Sequence, residues 1–227
     1  MTPSLEPAVE APGVSGTGPT RQSHRRRRIE VAATVLLSAA TVLTAWSAFQ
    51  STKWGGVQAV KFSQASASRT ESVRASTTAG QQTVADVSVF TAWLTATDQG
   101  QIRLADLLAV RFRGEFKVAF QAWEATTPFT NPSAPATPFA MPEYQRAKMN
   151  KATELEALAA KQFSQATEAN QRSDHYVLMT VLFALVLFFG AVSTRFELIS
   201  IQISLLTVAT VLFVAAAVIT VLFPVHL

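Results

Sequence analysis

Three stretches of the chain carry no charge at all: Val31–Phe49, Tyr176–Val192 and Leu198–Phe223. A helix rises ~1.5 Å per residue and the hydrocarbon core of a bilayer is ~30 Å thick, so about 20 apolar residues cross it. The three stretches predict three transmembrane helices. The first also has a basic flank ahead of it, as a signal peptide would. Its long n-region, and a Trp in the would-be cleavage site Ala45-Trp46-Ser47-Ala48, read instead as a retained anchor.

Between the first two spans the pattern changes to helical periodicity. Ile102, Ala105, Ala109, Phe112, Phe116, Ala119 and Trp123 alternate steps of three and four, the mark of one buried helix face. Ala152, Leu155, Ala159, Phe163 and Ala166 repeat it. No turn signal separates this second pattern from the second span, which predicts one long helix from about Glu143 to Val192. The intervening TPFTNPSAPATPFAMPE is too rich in proline for helix or central strand. Breaks near Gly80 and Gly100 then divide the inserted segment into four helices, about 50–79, 82–98, 100–126 and 143–175. A chain that leaves the membrane after Phe49 and returns at Tyr176 closes with four passes, the proline-rich loop lying at the far end.

The predicted fold is therefore all-α: three transmembrane helices with an extracytoplasmic antiparallel helical bundle inserted between spans one and two. Residues 1–24 read as a disordered cytoplasmic tail, too poor in apolar surface to fold. Residues 25–49 form the basic flank and first span. The bundle takes 50–175 with its proline-rich loop at 127–142. The second span takes 176–193, a cytoplasmic turn 194–197 and the third span 198–223, leaving 224–227 outside.

Small residues recur on one face of span one (Thr34, Ser38, Thr41, Ala45, Ala48) and on span three (Ser200, Ser204, Thr207). Such faces let helices approach closely, so both are expected to pack on another span. Where span one ends, Trp46, Gln50 and Trp54 are spaced by four, with Lys53 beside them and Gly55-Gly56 following. Tryptophan favours the headgroup depth, so this stripe reads as interfacial anchoring, or as an interaction site. Phe129, Phe139 and Met141 make the proline-rich loop apolar. They either fold back on the helices or bind a partner.

The exit motif AWSAFQSTKWGGVQA and the loop motif NPSAPATPFAMPEY, in that order and followed by two closing spans, resemble a group of uncharacterised bacterial integral membrane proteins. The resemblance runs from about Arg25 onward. It implies a bacterial inner-membrane location and brings no activity, ligand or catalytic residue with it.

Charge and chemistry narrow the picture further. The formal net charge is +4. Its densest cluster is Arg25, Arg26, Arg27 and Arg28, just before span one, where basic residues set a cytoplasmic N-terminus and attract anionic lipid. No basic face with interleaved aromatics suggests nucleic acid. The chain has no cysteine, which removes disulfides, thiolate metal sites and cysteine nucleophiles. His24, His175 and His226 are far apart and form no metal-ligand spacing. No phosphate-binding or nucleophile motif occurs, and no catalytic, cofactor or metal residue is expected. Glu168, Arg172 and His175 share one face above span two and read as an interfacial ion-pair network. The spans hold no ionisable group of the kind ion-coupled transporters use, and Gln202 reads as an interhelical hydrogen-bonding group. The sequence thus points to a non-enzymatic membrane protein, a structural, interaction or accessory subunit. Its partners are the lipid bilayer and either itself or another membrane protein. Sensing through a partner, or an oligomeric channel, are the alternatives.

Overall fold

A computed structural model describes residues 21–196 and 198–225, with side chains from Arg27 onward. Its elements are α1 (Arg21–Asp98), α2 (Ile102–Val110), α3 (Gly114–Ala125), a 3-10 turn (Pro138–Ala140), α4 (Ala147–Ser193) and α5 (Ile199–Leu222), with no strand among the described residues. Parts of α1 and α4 and all of α5 are long and apolar enough to cross a membrane. The protein is an all-α integral membrane protein with three spans. It divides into a span unit, up to Trp54 and from Arg172 on, and an inserted unit, Gly55–Gln171.

In the span unit, α1 buries Ala33, Leu36 and Ala40, then Ser47, Gln50 and Trp54, again in steps of three and four. Leu36 and Ala40 pack with Val186 and Ala209. Met179, Phe183 and Ala216 form a second cluster against Leu43 and Phe213. Gly190 marks the tightest approach, where an added Cβ would lie 2.8 Å from Leu37 Cδ2. The small-residue faces expected to make these contacts do not make them. Thr34, Ser38, Thr41, Ala45 and Ala48 are exposed, as are Ser200, Ser204 and Thr207. Their hydroxyls need no second helix, because each of several bonds a carbonyl one turn back: Thr34 to Glu30 at 2.8 Å, Thr41 to Leu37 at 2.8 Å and Thr207 to Ile203 at 2.8 Å. Alternating Ala and Leu interlock better with the large side chains of α4 and α5.

In the inserted unit, α1 and α4 run antiparallel. Ser68 Oγ donates to Gln162 at 2.9 Å and Ser72 Oγ to the Ala152 carbonyl at 2.8 Å. Buried alanines line the seam, among them Ala65, Ala75, Ala79, Ala152, Ala159 and Ala166, and they let the two backbones come close. From the level at which α4 begins, α1 runs on for roughly 30 Å at helical rise. That excess is covered by α2, α3 and the proline-rich loop.

Four boundaries differ from the sequence expectation. Helix α1 begins at Arg21, so residues 21–24 of the expected tail are helical, whereas residues 1–20 lie outside the described residues. No break occurs at Gly80: one glycine costs a helix about 1 kcal/mol, and the buried series Ala75, Ala79, Asp86, Phe90 continues across it. The break at Gly100 is real. Gly100 has φ +67°, and the bonds Gln101 N–H to Ala96 O (2.8 Å) and Gly100 N–H to Thr97 O (3.1 Å) close a Schellman motif. The stretch 100–126 is two helices, parted where Arg113 turns extended (φ −58°, ψ 141°) before Gly114. The last helix begins at Ala147, not Glu143. At the cap the four passes are α1 up, α2 down, α3 up and the proline-rich loop down, so the loop supplies the fourth pass in place of a helix.

The Gly190 contact makes a prediction. Gly190→Leu overpacks the span unit and should cost about 1–3 kcal/mol, read as a lowered unfolding midpoint in detergent. Thr41→Leu, on the exposed side of α1 in the same unit, should leave that midpoint unchanged.

Candidate functional site

The cap of the inserted unit is built on aromatic rings. Phe90 and Trp93 from α1 meet Phe112, Phe116, Phe120 and Trp123 from around α3. Edge-to-face pairs dominate: Trp93–Phe120 at 4.8 Å, Phe112–Phe116 at 4.9 Å and Phe90–Trp123 at 5.5 Å. Such pairs contribute about 0.5–1.5 kcal/mol each beyond their burial. The proline-rich loop folds back onto this core. Phe139 stacks on Phe116 at 5.0 Å and Met141 packs against the same cluster. Trp123 Nε1 donates to the Pro135 carbonyl at 2.7 Å, fixing the middle of the loop.

One buried charge cluster ties the three parts together. Asp86 on α1 is only 4% exposed. Arg113, at the turn into α3, grips it with two bonds, Nε to Oδ1 at 3.3 Å and the terminal nitrogen to Oδ2 at 2.7 Å. Arg113 also pairs with Glu115. Tyr144, ahead of α4, donates its hydroxyl to Asp86 Oδ2 at 3.0 Å. The paired Asp86 carboxylate is the main cause holding the Arg113 guanidinium firmly protonated. Burial, with the Asp86 carboxylate adding to it, raises the Tyr144 hydroxyl above its ordinary value. Sequence reading missed this cluster because its members are far apart along the chain. The available signal was that Asp86 is the sole charge between Arg74 and Asp98 and lies on the buried series.

Two concave sites flank the cap. A groove of about 320 Å³ runs beside the charge cluster, lined by Thr78, Gln81, Gln82, Arg111, Phe112 and Phe116 among others. A second, of about 540 Å³, lies between Leu94, Thr95, Thr97 and Asp98 of α1 and Phe129 of the loop. Phe129 is 66% exposed and touches only the edge of the aromatic core, at Trp123. Of the three loop residues singled out from sequence, Phe139 and Met141 are structural and Phe129 alone faces outward.

Comparison with protein-family models, with curated proteins and with solved structures finds no match.

The tryptophan stripe lies in the span unit, and the fold splits it. Gln50 and Trp54 are buried, Lys53 is half-buried, and Trp46 stays on the exposed side against Phe49, ring centroids 6.0 Å apart. Trp54 is held twice. Its Nε1 donates to the Pro224 carbonyl at 3.2 Å, and the Arg172 guanidinium sits over its ring at 4.6 Å. Tyr176 donates to the same carbonyl at 3.2 Å, and His175 stacks on Phe223 at 5.2 Å. Trp54 and Tyr176 therefore latch the end of α5, which is a packing role. Gln202 is buried. Arg27 and Arg28 are exposed on the first turns of α1, while the side chains of Arg25 and Arg26 lie outside the described residues. Among the described residues no cluster of His, Asp and Glu suited to a metal ion occurs.

Two outcomes follow from the charge cluster. Asp86→Ala removes the buried acceptor on which Arg113 and Tyr144 converge, while Arg113 keeps Glu115, and should cost about 1–3 kcal/mol, seen as early loss of Trp93 and Trp123 fluorescence in denaturant. The protonated form of Tyr144 is the one the fold favours. Its contribution is complete below the ordinary tyrosine value of ~10 and is lost as pH rises through the higher folded value. The unfolding midpoint should therefore fall more steeply above that pH in the parent protein than in Tyr144→Phe, and Tyr176→Phe should reveal the late phenolate absorbance change of Tyr144 alone.

Proposed function

We propose that this chain is a non-enzymatic subunit of the bacterial cytoplasmic membrane that works by association, with itself or with another membrane protein, through its extracytoplasmic cap. The reading places the N-terminus and the 194–197 turn in the cytoplasm and the C-terminus outside. Its support is the Arg25–Arg28 cluster ahead of span one and Arg195 between spans two and three. The observation that carries it is Phe129. An aromatic side chain held out from a rigid core, beside a groove of about 540 Å³, has the form of an interface anchor with its pocket. The charges of the cap point the same way. Asp86, Arg113 and Tyr144 are spent on one another, which suits a structural role better than acid–base chemistry.

A second reading, ligand sensing relayed through a partner, is favoured by the 320 Å³ groove alone. Arg111 and the Gln81 and Gln82 amides there face Phe112 and Phe116, an arrangement suited to a small amphipathic acid.

Photo-crosslinking in living cells tests the main reading. A photoreactive residue at Phe129 should give discrete protein adducts, and one at Phe139, packed on Phe116, should give none. Ser133→Cys in this cysteine-free chain should react with a membrane-impermeant thiol reagent added outside. Absence of adducts at Phe129 together with a monomeric protein in nanodiscs would overturn the proposal. Stabilisation of the cap by a small carboxylic acid in a thermal-shift screen, lost in Arg111→Ala, would favour sensing.

A further inference from the structure

Helices α1 and α5 run parallel in the span unit. Leu36 packs in one cluster with Ala209, and Leu43 lies against the next cluster with Ala216, a step of seven residues on each helix. One such step back sets Ile29 level with Gln202. Beside that level a groove of about 300 Å³ opens between Ile29 on α1 and Ile203, Leu206, Thr207, Thr210 and Val211 on α5. From Ile203 to Val211 it follows α5 for about 12 Å at helical rise. Nothing in it invites water. Both its hydroxyls donate within α5, Thr207 Oγ1 to the Ile203 carbonyl at 2.8 Å and Thr210 Oγ1 to the Leu206 carbonyl at 2.7 Å, and the other walls are aliphatic. A held water needs two or more polar partners. Helix α5 is long and apolar enough to cross a membrane, so the groove faces hydrocarbon. Left empty, its lining would forfeit dispersion contacts, and a chain of methylenes supplies them.

The end of the groove at Ile29 has a different character. Arg28 precedes Ile29 directly, and Arg25 and Arg26 stand one helical turn before it. Arg27 and Arg28 are exposed. By the same register Arg28 lies level with Ile201, in the first turn of α5, where its apolar run begins. The four arginines outnumber the one acid beside them, Glu30. An aliphatic slot that leads from an arginine-rich end into hydrocarbon matches, in order, the anionic headgroup and the acyl chain of one lipid. Arginine binds phosphate through charge-assisted and often paired hydrogen bonds.

We propose that this groove is a binding site for one anionic phospholipid of the leaflet in which α1 begins, its acyl chain along Ile203–Val211 and its phosphate at the Arg25–Arg28 run. The site goes beyond the association reading and does not depend on it, nor on which side of the membrane holds the arginines. A span of a second copy is the rival occupant. Every copy is anchored in one orientation, so a second copy docked here would bring its own Arg25–Arg28 to the same depth. Like charges brought together oppose docking, whereas an anionic lipid brings the opposite charge.

Native mass spectrometry of the full chain, delipidated in a mild detergent, tests the site with phosphatidylglycerol and phosphatidylcholine of identical chains as probes. One phosphatidylglycerol per chain should bind first, ahead of phosphatidylcholine. Thr207→Trp fills the groove and should remove that first adduct, whereas Val221→Trp, exposed at the other end of α5, should keep it. Arg27→Gln with Arg28→Gln should lower the preference for phosphatidylglycerol by about fivefold for each arginine removed, with tryptophan fluorescence showing the fold intact. Equal binding of the two lipids by the parent protein, or a first adduct that survives Thr207→Trp, overturns the site. A photoreactive residue at Thr210 in native membranes gives a reading that needs no groove-filling variant. A phospholipid adduct there supports the proposal, and an adduct to a second copy of the chain overturns the lipid as occupant.

Discussion

The inserted unit is governed by a mismatch of length. Helix α1 runs without interruption to Asp98, whereas its antiparallel partner α4 begins only at Ala147, level with the residues just before Gly80. Roughly 30 Å of α1 at helical rise is left without a helical partner. An isolated helix of that length, carrying Phe90 and Trp93, is not stable in water unless its apolar side is covered. Helices α2 and α3 and the proline-rich loop exist to cover it. Their sequence is aromatic where the α1–α4 seam is alanine, because the gap to be filled is wide rather than narrow.

Chemistry follows from that arrangement. Asp86 lies at the join between seam and cap, and Arg113 and Tyr144 reach it from the two chain segments that enter and leave the aromatic core. A buried carboxylate satisfied from two sides fixes register more than it adds net stability, since desolvation offsets much of its attraction. The loop gains the same fixity from Trp123 and Pro135. Of the aromatic side chains of the loop, Phe129 is the one that remains outside.

Much of this was legible in the sequence. The spans were, because charge-free runs of that length have few alternatives. So was the continuity of α4 from seam to second span, and most of the buried series of α2 and α3, although Ile102, expected on that buried face, is 72% exposed at the first turn of α2. The faces of span one were not. Two sets of residues there obey the same three-and-four spacing, and periodicity cannot say which meets protein and which meets lipid. The hydroxyls of Thr34 and Thr41, satisfied within their own helix, decide for the Ala33, Leu36 and Ala40 set. Gly80 misled because a lone glycine is weak punctuation when the buried pattern continues past it. The proline-rich loop was recognised as irregular, but its role as the fourth pass depended on contacts of Phe139 and Tyr144 that no local pattern reveals.

The most direct test of this account is a distance along α1 across Gly80. Nitroxide labels on cysteines placed at Ser66 and Thr95, both exposed, with labelled chains diluted into unlabelled ones, report it by pulsed electron resonance. An unbroken helix predicts a single narrow distribution centred near ~44 Å at 1.5 Å per residue. A distribution shifted to short distances, toward the ~10 Å spacing of side-by-side helices that an antiparallel turn at Gly80 would give, contradicts the account and returns the inserted unit to a bundle of shorter helices.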